Sequence, residues 1–246
     1  MHDFNEKIVV ITGGAKGLGY AMAERFLANG AQSVVILDLN QEAIDEALNT
    51  LSSTGERVLG LVCDVGNYSA VEEAFAKIDQ HYGRVDILIN NAGITRDAFA
   101  AKMTPEQFDI TVQISLNGAF YCTRQVIAGM RKRGWGRIIS LSSMAAEGNI
   151  GQANYAAAKA GIIGLTRTLS DELAGNGVTV NSISPGLIRT DIIKTIPDSL
   201  MEKLIQKIPA GRIGEPKEVA DLVAFLASDK AAYISGQDIK ISGGLR

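Results

Sequence analysis

Seven short runs along the chain, 7–12, 33–38, 57–64, 85–90, 136–143, 178–184 and 238–241, are mostly apolar and β-branched. Most lack the in–out alternation of a strand with one wet face, so they read as parallel strands covered on both sides. Longer stretches with helical spacing separate them. Gly30, Gly55, Gly83, Gly134 and Gly177 stand where those helices should end, since glycine takes the left-handed cap conformation without a Cβ clash. Thr104-Pro105-Glu106-Gln107 predicts a helix start, with threonine as cap, proline at the first helical position and Gln107 three residues after the cap. Pro216 predicts another. This alternation specifies an α/β fold, a doubly wound, seven-stranded parallel sheet flanked by helices. No linker or repeat interrupts residues 1–246, which predicts one domain. The segment 187–211 lacks a strand and is expected to cover a site as a loop and helix.

Composition narrows the class. Of 246 residues, 46% are hydrophobic and 21% charged, and the net charge is −3. That balance argues against nucleic acid or an anionic membrane surface as partner. No apolar run approaches the ~20 residues of a membrane span, and residues 1–6 show no signal pattern. Cys63 and Cys122 lie in apolar segments and read as buried free thiols, which makes the cytoplasm the default address. Two histidines, His2 and His81, and two distant cysteines offer no metal-ligand spacing, so no metal is expected.

The first strand runs into Thr12-Gly13-Gly14-Ala15-Lys16-Gly17-Leu18-Gly19, which opens a helix. Its glycines permit a tight turn and let backbone N–H groups approach a pyrophosphate, aided by the helix N-terminus. Gly13, Lys16, Gly17, Leu18 and Gly19 are therefore expected to bind a dinucleotide, on a Rossmann-type fold. Asp38 ends the second strand 25 residues after Gly13, close to the ~20 expected for an acid that holds the adenosine ribose. With Leu39 beside it, it favours NAD, because its carboxylate would repel a 2′-phosphate. Lys16 pulls the other way and leaves NADP open.

Further motifs resemble the short-chain dehydrogenase/reductase family, nearly end to end. Asp64-Val65 resembles the family's adenine-contacting pair. Asn90-Asn91-Ala92-Gly93 resembles its N-N-A-G along the adenosine, here with Asn91, Ala92 and Gly93 as the binding residues. Pro185-Gly186-Leu187-Ile188-Arg189-Thr190 resembles the segment that holds the nicotinamide carboxamide, through Pro185, Gly186, Ile188 and Thr190. Tyr155-Ala156-Ala157-Ala158-Lys159 resembles the catalytic signature. On a helix the spacing puts Tyr155 and Lys159 on one face, one turn apart.

The resemblance implies hydride transfer between a secondary alcohol and a ketone. A proton must reach oxygen as hydride reaches carbon, and a phenol is ordinarily too weak an acid for that near neutrality. The nearby Lys159 ammonium and the oxidised nicotinamide are expected to favour phenolate, making Tyr155 base or acid by direction. The resemblance also gives Lys159 the nicotinamide ribose, so both residues count as cofactor-binding. A serine should hold the substrate oxygen. Ser143 is the expected residue, because strand register fixes side-chain direction whereas loops absorb deletions; the family's interval of thirteen from the tyrosine would give Ser142 instead. One departure stands out. The family's asparagine, which helps hold a relay water, is Ser115 here, and Asn117 lies roughly 200° away around an α-helix. That puts the proton relay in doubt.

The segments 93–97 and 151–155 particularly resemble 3-oxoacyl-thioester reductases. A 3-oxoacyl or acetoacetyl thioester is one expected substrate, and an NAD-dependent polyol, sugar or other hydroxy-compound oxidation is the alternative. Those reductases usually take NADP, which Asp38 disfavours. An acidic acyl carrier protein would want a basic landing patch, yet 170–176 is acidic, although Arg131-Lys132-Arg133 could supply some positive charge. A non-catalytic cofactor sensor on the same fold is the rival class. The resemblance also implies a homotetramer, through helices around 115–131 and 154–173 and the tail 236–246.

Overall fold

In the computed structural model, which describes residues 3–51, 57–190 and 198–245, strands and helices alternate. The order is β1 (Ile8–Thr12), α1 (Gly17–Ala28), β2 (Ser33–Asp38), α2 (Gln41–Leu51), β3 (Val58–Val62), α3 (Tyr68–Tyr82) and β4 (Ile87–Asn90). There follow α4 (Pro105–Val112), α5 (Gly118–Arg133), β5 (Gly136–Leu141), α6 (Ala153–Leu173), β6 (Val178–Pro185), α7 (Asp198–Gln206), α8 (Pro216–Ala227) and β7 (Asp238–Ile241). All seven strands are parallel, in the order β3-β2-β1-β4-β5-β6-β7. The order reverses between β1 and β4, and such a switch point leaves a crevice above the carboxyl ends of the strands.

The apolar runs are explained by covering on both faces. Val9 and Ile11 join a cluster with Met22 and Phe26 of α1, Ile44 of α2 and Val223 of α8. Val10, between them, joins Phe75 and Ile78 of α3, Met130 of α5 and Leu169 of α6 on the other face. Successive strand residues point to opposite sides, so both must be apolar. Cys63 and Cys122 are buried free thiols in the second cluster. Burial pushes the Cys63 thiol up to about 11 and Cys122 further in the same direction, which suppresses thiolate chemistry.

Several expected boundaries shift for local reasons. β4 begins at Ile87 because Asp86, fully buried, turns its carboxylate sideways to accept the Ile8 N–H at 2.9 Å and Arg84 Nη2 at 2.6 Å. β3 stops at Val62, since Asp64 folds back to accept the Gly66 N–H. β5 ends at Leu141, leaving Ser142 and Ser143 beyond it. The capping box at Thr104 and Gln107 and the helix opened by Pro216 are present. Gly30, Gly83, Gly134 and Gly177 adopt positive φ, and Gly55 lies outside the described residues.

One departure matters for the site. Residues Gln113–Asn117 form a π-helical turn between α4 and α5, where an α-helix was expected. Such turns carry one extra residue and re-aim side chains. Gly118 follows it closely packed on Val65, where a Cβ would come within 2.9 Å of Val65 Cγ2. Among the described residues no helix is long and apolar enough to cross a membrane.

Asp86→Ala should lower the unfolding free energy by about 2–4 kcal/mol, because it strands the Ile8 N–H and the arginines beside it. Urea unfolding checks this, and a loss within error of zero would show the carboxylate to be incidental.

Candidate active site

The glycine turn sits over the switch point, and its shape is enforced. Gly13 and Gly17 adopt φ of 60° and 56°. A Cβ on Gly19 would lie 2.1 Å from the Gly13 carbonyl oxygen, so only glycine fits. Asn91 Nδ2 donates to the carbonyls of Thr12 and Gly13, both at 2.9 Å, and Thr12 Oγ1 accepts the N–H groups of Asn91 and Ala92 at 3.0 Å. The end of β4 is thereby clamped to the turn. Thr12 is part of this clamp although the sequence reading gave it no role. Its signal was its place at the end of β1, directly before the first glycine.

The surrounding residues fall in place around that clamp. Lys16 caps α1 from extended backbone, is exposed and makes no side-chain cap, so the first-turn N–H groups are left for another acceptor. Leu18 packs on the core. Asp38 is half-buried at the end of β2, accepting the Ala15 and Asn40 N–H groups at 3.2 and 3.3 Å. Leu39 beyond it is 67% exposed, Asp64 is exposed and Val65 is buried. From the far side, Thr190 Cγ2 would stand 3.9 Å from a Cβ on Gly17. Ile188 is buried and bridges to Gly214, while Gly186 packs on Ser242 and Pro185 pairs with Ile241. Ile192, Ile193 and Ile196 of the expected cover lie outside the described residues.

Tyr155 and Lys159 occupy the first turns of α6. Lys159 is 3% exposed, and its Nζ donates to the Leu141 carbonyl at the end of β5 at 2.5 Å. It lies 5.5 Å from the Tyr155 ring centroid. Burial drives the ammonium from the usual 10.5 to about 8. Tyr155 is pushed above the usual 10.0, first by burial, then by the charge of Asp97, against a hydrogen bond with Ser143 that lowers it. Among the protein's own groups, then, desolvation wins, and the expected shift towards phenolate would have to come from the oxidised nicotinamide. Asp97 was also missed as a group acting on the phenol.

Strand register and family spacing disagreed about the serine, and the geometry separates the two. Ser142 is buried and donates to the Lys159 backbone carbonyl at 2.9 Å, holding α6 to β5. Ser143 is half-buried, accepts the Ala145 N–H at 3.1 Å and is the serine that meets Tyr155. Ser115 is fully buried, and its Oγ accepts the Ile94 N–H at 3.3 Å. A Cβ on Gly93 would lie 3.3 Å from both Ser115 Oγ and Lys159 Nζ, so Gly93 lets the three groups close up. Asn117 is turned to Gln113 Oε1 at 2.6 Å instead. It does not replace Ser115, though the reason is the π-turn and this bond rather than α-helical geometry.

These residues fit a nicotinamide dinucleotide. The uncapped start of α1 suits a pyrophosphate. Lys159 keeps three N–H donors with the Leu141 carbonyl as the acceptor shown, which suits ribose hydroxyls. A separate cleft of about 600 Å³ between α6 and β7, lined by Arg167, Ser170, Asp171, Gln237 and Lys240, contains none of these groups. Among the described residues no three His, Cys, Asp or Glu side chains gather as a metal site.

The chain is similar to known proteins along nearly its whole length. A family profile described as Enoyl-(Acyl carrier protein) reductase matches residues 13–246. The 3-oxoacyl-[acyl-carrier-protein] reductase FabG of Thermotoga maritima is 41% identical over 240 residues, 97% of each chain. The acetoacetyl-CoA reductase of Shinella zoogloeoides is 42% identical, over 97% of this chain and 98% of that one. Among solved structures, gox2181 superposes with a TM-score of 0.94 at 33% identity, covering 99% of this chain and 97% of its own.

The buried lysine makes a stability prediction. Between about pH 8 and 10.5 the unfolded chain holds a proton on Lys159 that the folded chain does not, so stability rises with pH across that window. Lys159→Met should therefore raise the unfolding free energy at pH 7 by about 1–3 kcal/mol, and the gain should shrink towards pH 10. Urea unfolding at both pH values measures it; a destabilised variant at pH 7 would show that the ammonium is well solvated.

Proposed function

This chain belongs to the short-chain dehydrogenase/reductase family, and from that membership we propose that it interconverts a 3-oxoacyl and a 3-hydroxyacyl thioester. The observation that carries the reading is the grouping of half-buried Tyr155 and Ser143 with buried Lys159 beside the crevice. The nicotinamide, when bound, supplies or takes the hydride. Ser143 and Tyr155 hold the substrate oxygen between two hydroxyls. As carbon gains hydride, the carbonyl electron pair moves to that oxygen, which takes the proton from the Tyr155 hydroxyl. Lys159 beside it offsets the negative charge left on the phenol. In the oxidative direction Tyr155 takes the same proton back.

For the cofactor we favour NAD. Asp38 is held in place by two backbone N–H groups at the end of β2, so its charge cannot easily swing away from a 2′-phosphate. For the substrate we favour coenzyme A or another small thioester over a carrier protein. Asp171 and Glu172 are exposed on α6, and the basic cluster at the end of α5 is partly engaged: Arg131 binds Asn176, and Arg133 reaches the Val85 carbonyl and Asp86. An acidic carrier finds little free positive charge there. We also place the protein in the cytoplasm and assemble it as a homotetramer through α5, α6 and the tail at 236–245.

Absorbance of reduced nicotinamide with acetoacetyl-CoA, an acetoacetyl carrier protein, polyols and sugars tests the reading. Turnover of acetoacetyl-CoA with NADH is expected, falling by roughly 10²–10⁴ in Tyr155→Phe and by roughly 10²–10³ in Ser143→Ala. A Tyr155→Phe enzyme as active as the parent, or turnover confined to polyols, would refute it. Asp38→Ala should narrow the preference for NADH over NADPH by about tenfold; a parent enzyme that prefers NADPH would overturn the assignment to NAD.

A further inference from the structure

Asn154 is fully buried directly before Tyr155. Its Nδ2 donates to the carbonyl oxygens of Arg96 and Gln107, both at 3.0 Å, and to Thr111 Oγ1 at 3.1 Å. Its Oδ1 accepts the Tyr155 N–H at 2.8 Å. One carboxamide thus joins the loop after β4, the helix α4 and the first turn of α6. The last contact is unusual. The start of a helix leaves N–H groups without partners, and the residue ahead of the helix ordinarily supplies an acceptor. Here that residue, Gln152, makes no side-chain cap, because its amide is committed outward to Asp97 Oδ2 at 2.9 Å and to Asn149. Asn154 caps the Tyr155 N–H from inside the helix instead.

We propose that Asn154 is a positioning residue for Tyr155, fixing the turn that carries the phenol against the loop at 96–98 and α4. The proposal rests on the reading of Tyr155 as the proton donor and adds the means by which its backbone is held. The charged groups around the phenol are set by the same grip. Asp97 follows Arg96 on the tethered loop, whose Ala98 N–H donates to the Gly151 carbonyl at 2.9 Å, and Lys159 is one turn further along α6. An amide has two Nδ2 protons and here three acceptors. The two carbonyls can use both protons, so Thr111 is the dispensable contact.

The test measures kcat, the dinucleotide Kd and the pH–rate profile for Asn154→Ala, Thr111→Val and Tyr155→Phe. Asn154→Ala should lose about tenfold or more in kcat, as an ångström of misplacement can cost that or more. The dinucleotide Kd should stay within about twofold, because the glycine-turn clamp is untouched, and the limb of the profile that reports Tyr155 should move towards the ordinary tyrosine value as water reaches the phenol. Thr111→Val should stay within about twofold of the parent in kcat. If Asn154→Ala does not fold, Asn154→Ser, which keeps a polar atom in the space, carries the same expectation. A folded Asn154 variant with parental kcat overturns the proposal. So does an equal loss in Thr111→Val with weakened dinucleotide binding and an unmoved profile, which would mean general packing. An active Tyr155→Phe would sink the functional reading itself, whatever Asn154 does.

Discussion

The ammonium of Lys159 is buried against β5 with the Leu141 carbonyl as its acceptor, and much of the site is organised by what that charge lacks. A buried cation with unused donors favours either losing its proton or gaining an oxygen partner. Three features hold it in that state. Gly93 lets the chain after β4 approach without a Cβ, Ser142 ties the Lys159 backbone to the end of β5, and Ser115 holds the chain beside Gly93 by accepting the Ile94 N–H. Burial likewise pushes the Tyr155 phenol above the usual tyrosine value, which favours its protonated form. Both groups are thus biased towards their neutral forms until a ligand brings oxygen and charge into the crevice. A site preorganised in this way costs stability and returns it as transition-state stabilisation.

The nucleotide end of the crevice is built differently. In the proposed reading backbone would do most of the recognition there, and side chains hold that backbone: Asn91 and Thr12 lock the glycine turn, and Asp38 locks Ala15. Both ends meet at the carboxyl end of β4, where Asn91 clamps the turn and Gly93, two residues on, admits the lysine. This continuity explains why a short run of sequence bears on both cofactor and chemistry. It also separates perturbations: changes around α4 and Asn154 should reach Tyr155 without reaching the turn.

Much of this was legible in the sequence, for physical reasons that can be named. Continuous apolar runs announced two-sided strands, and the alternation of Val9, Val10 and Ile11 between the two clusters bears that reading out. The glycine turn and the paired Tyr155 and Lys159 were visible because backbone sterics and helical spacing leave few alternatives. Other features depended on contacts distant in sequence. The π-turn at 113–117 is a tertiary compromise with no distinct local signal, so an α-helix was assumed. The choice of Ser143 over Ser142 rested on strand register alone, because the bond that turns Ser142 to the Lys159 carbonyl joins residues distant in sequence. The rise in the Tyr155 pKa was missed because proximity to a lysine is readable from spacing, whereas desolvation is a property of the whole surroundings.

The central claim is that burial keeps the Tyr155 phenol protonated and that bound oxidised nicotinamide, with its positive charge, is what releases it. Ultraviolet titration of phenolate, taken as the difference between the parent and Tyr155→Phe, isolates this group from the other tyrosines. The account predicts a midpoint above 10 without dinucleotide and a midpoint well below that value once the oxidised dinucleotide is bound. A midpoint unmoved by the dinucleotide, or already near neutrality without it, would contradict the account.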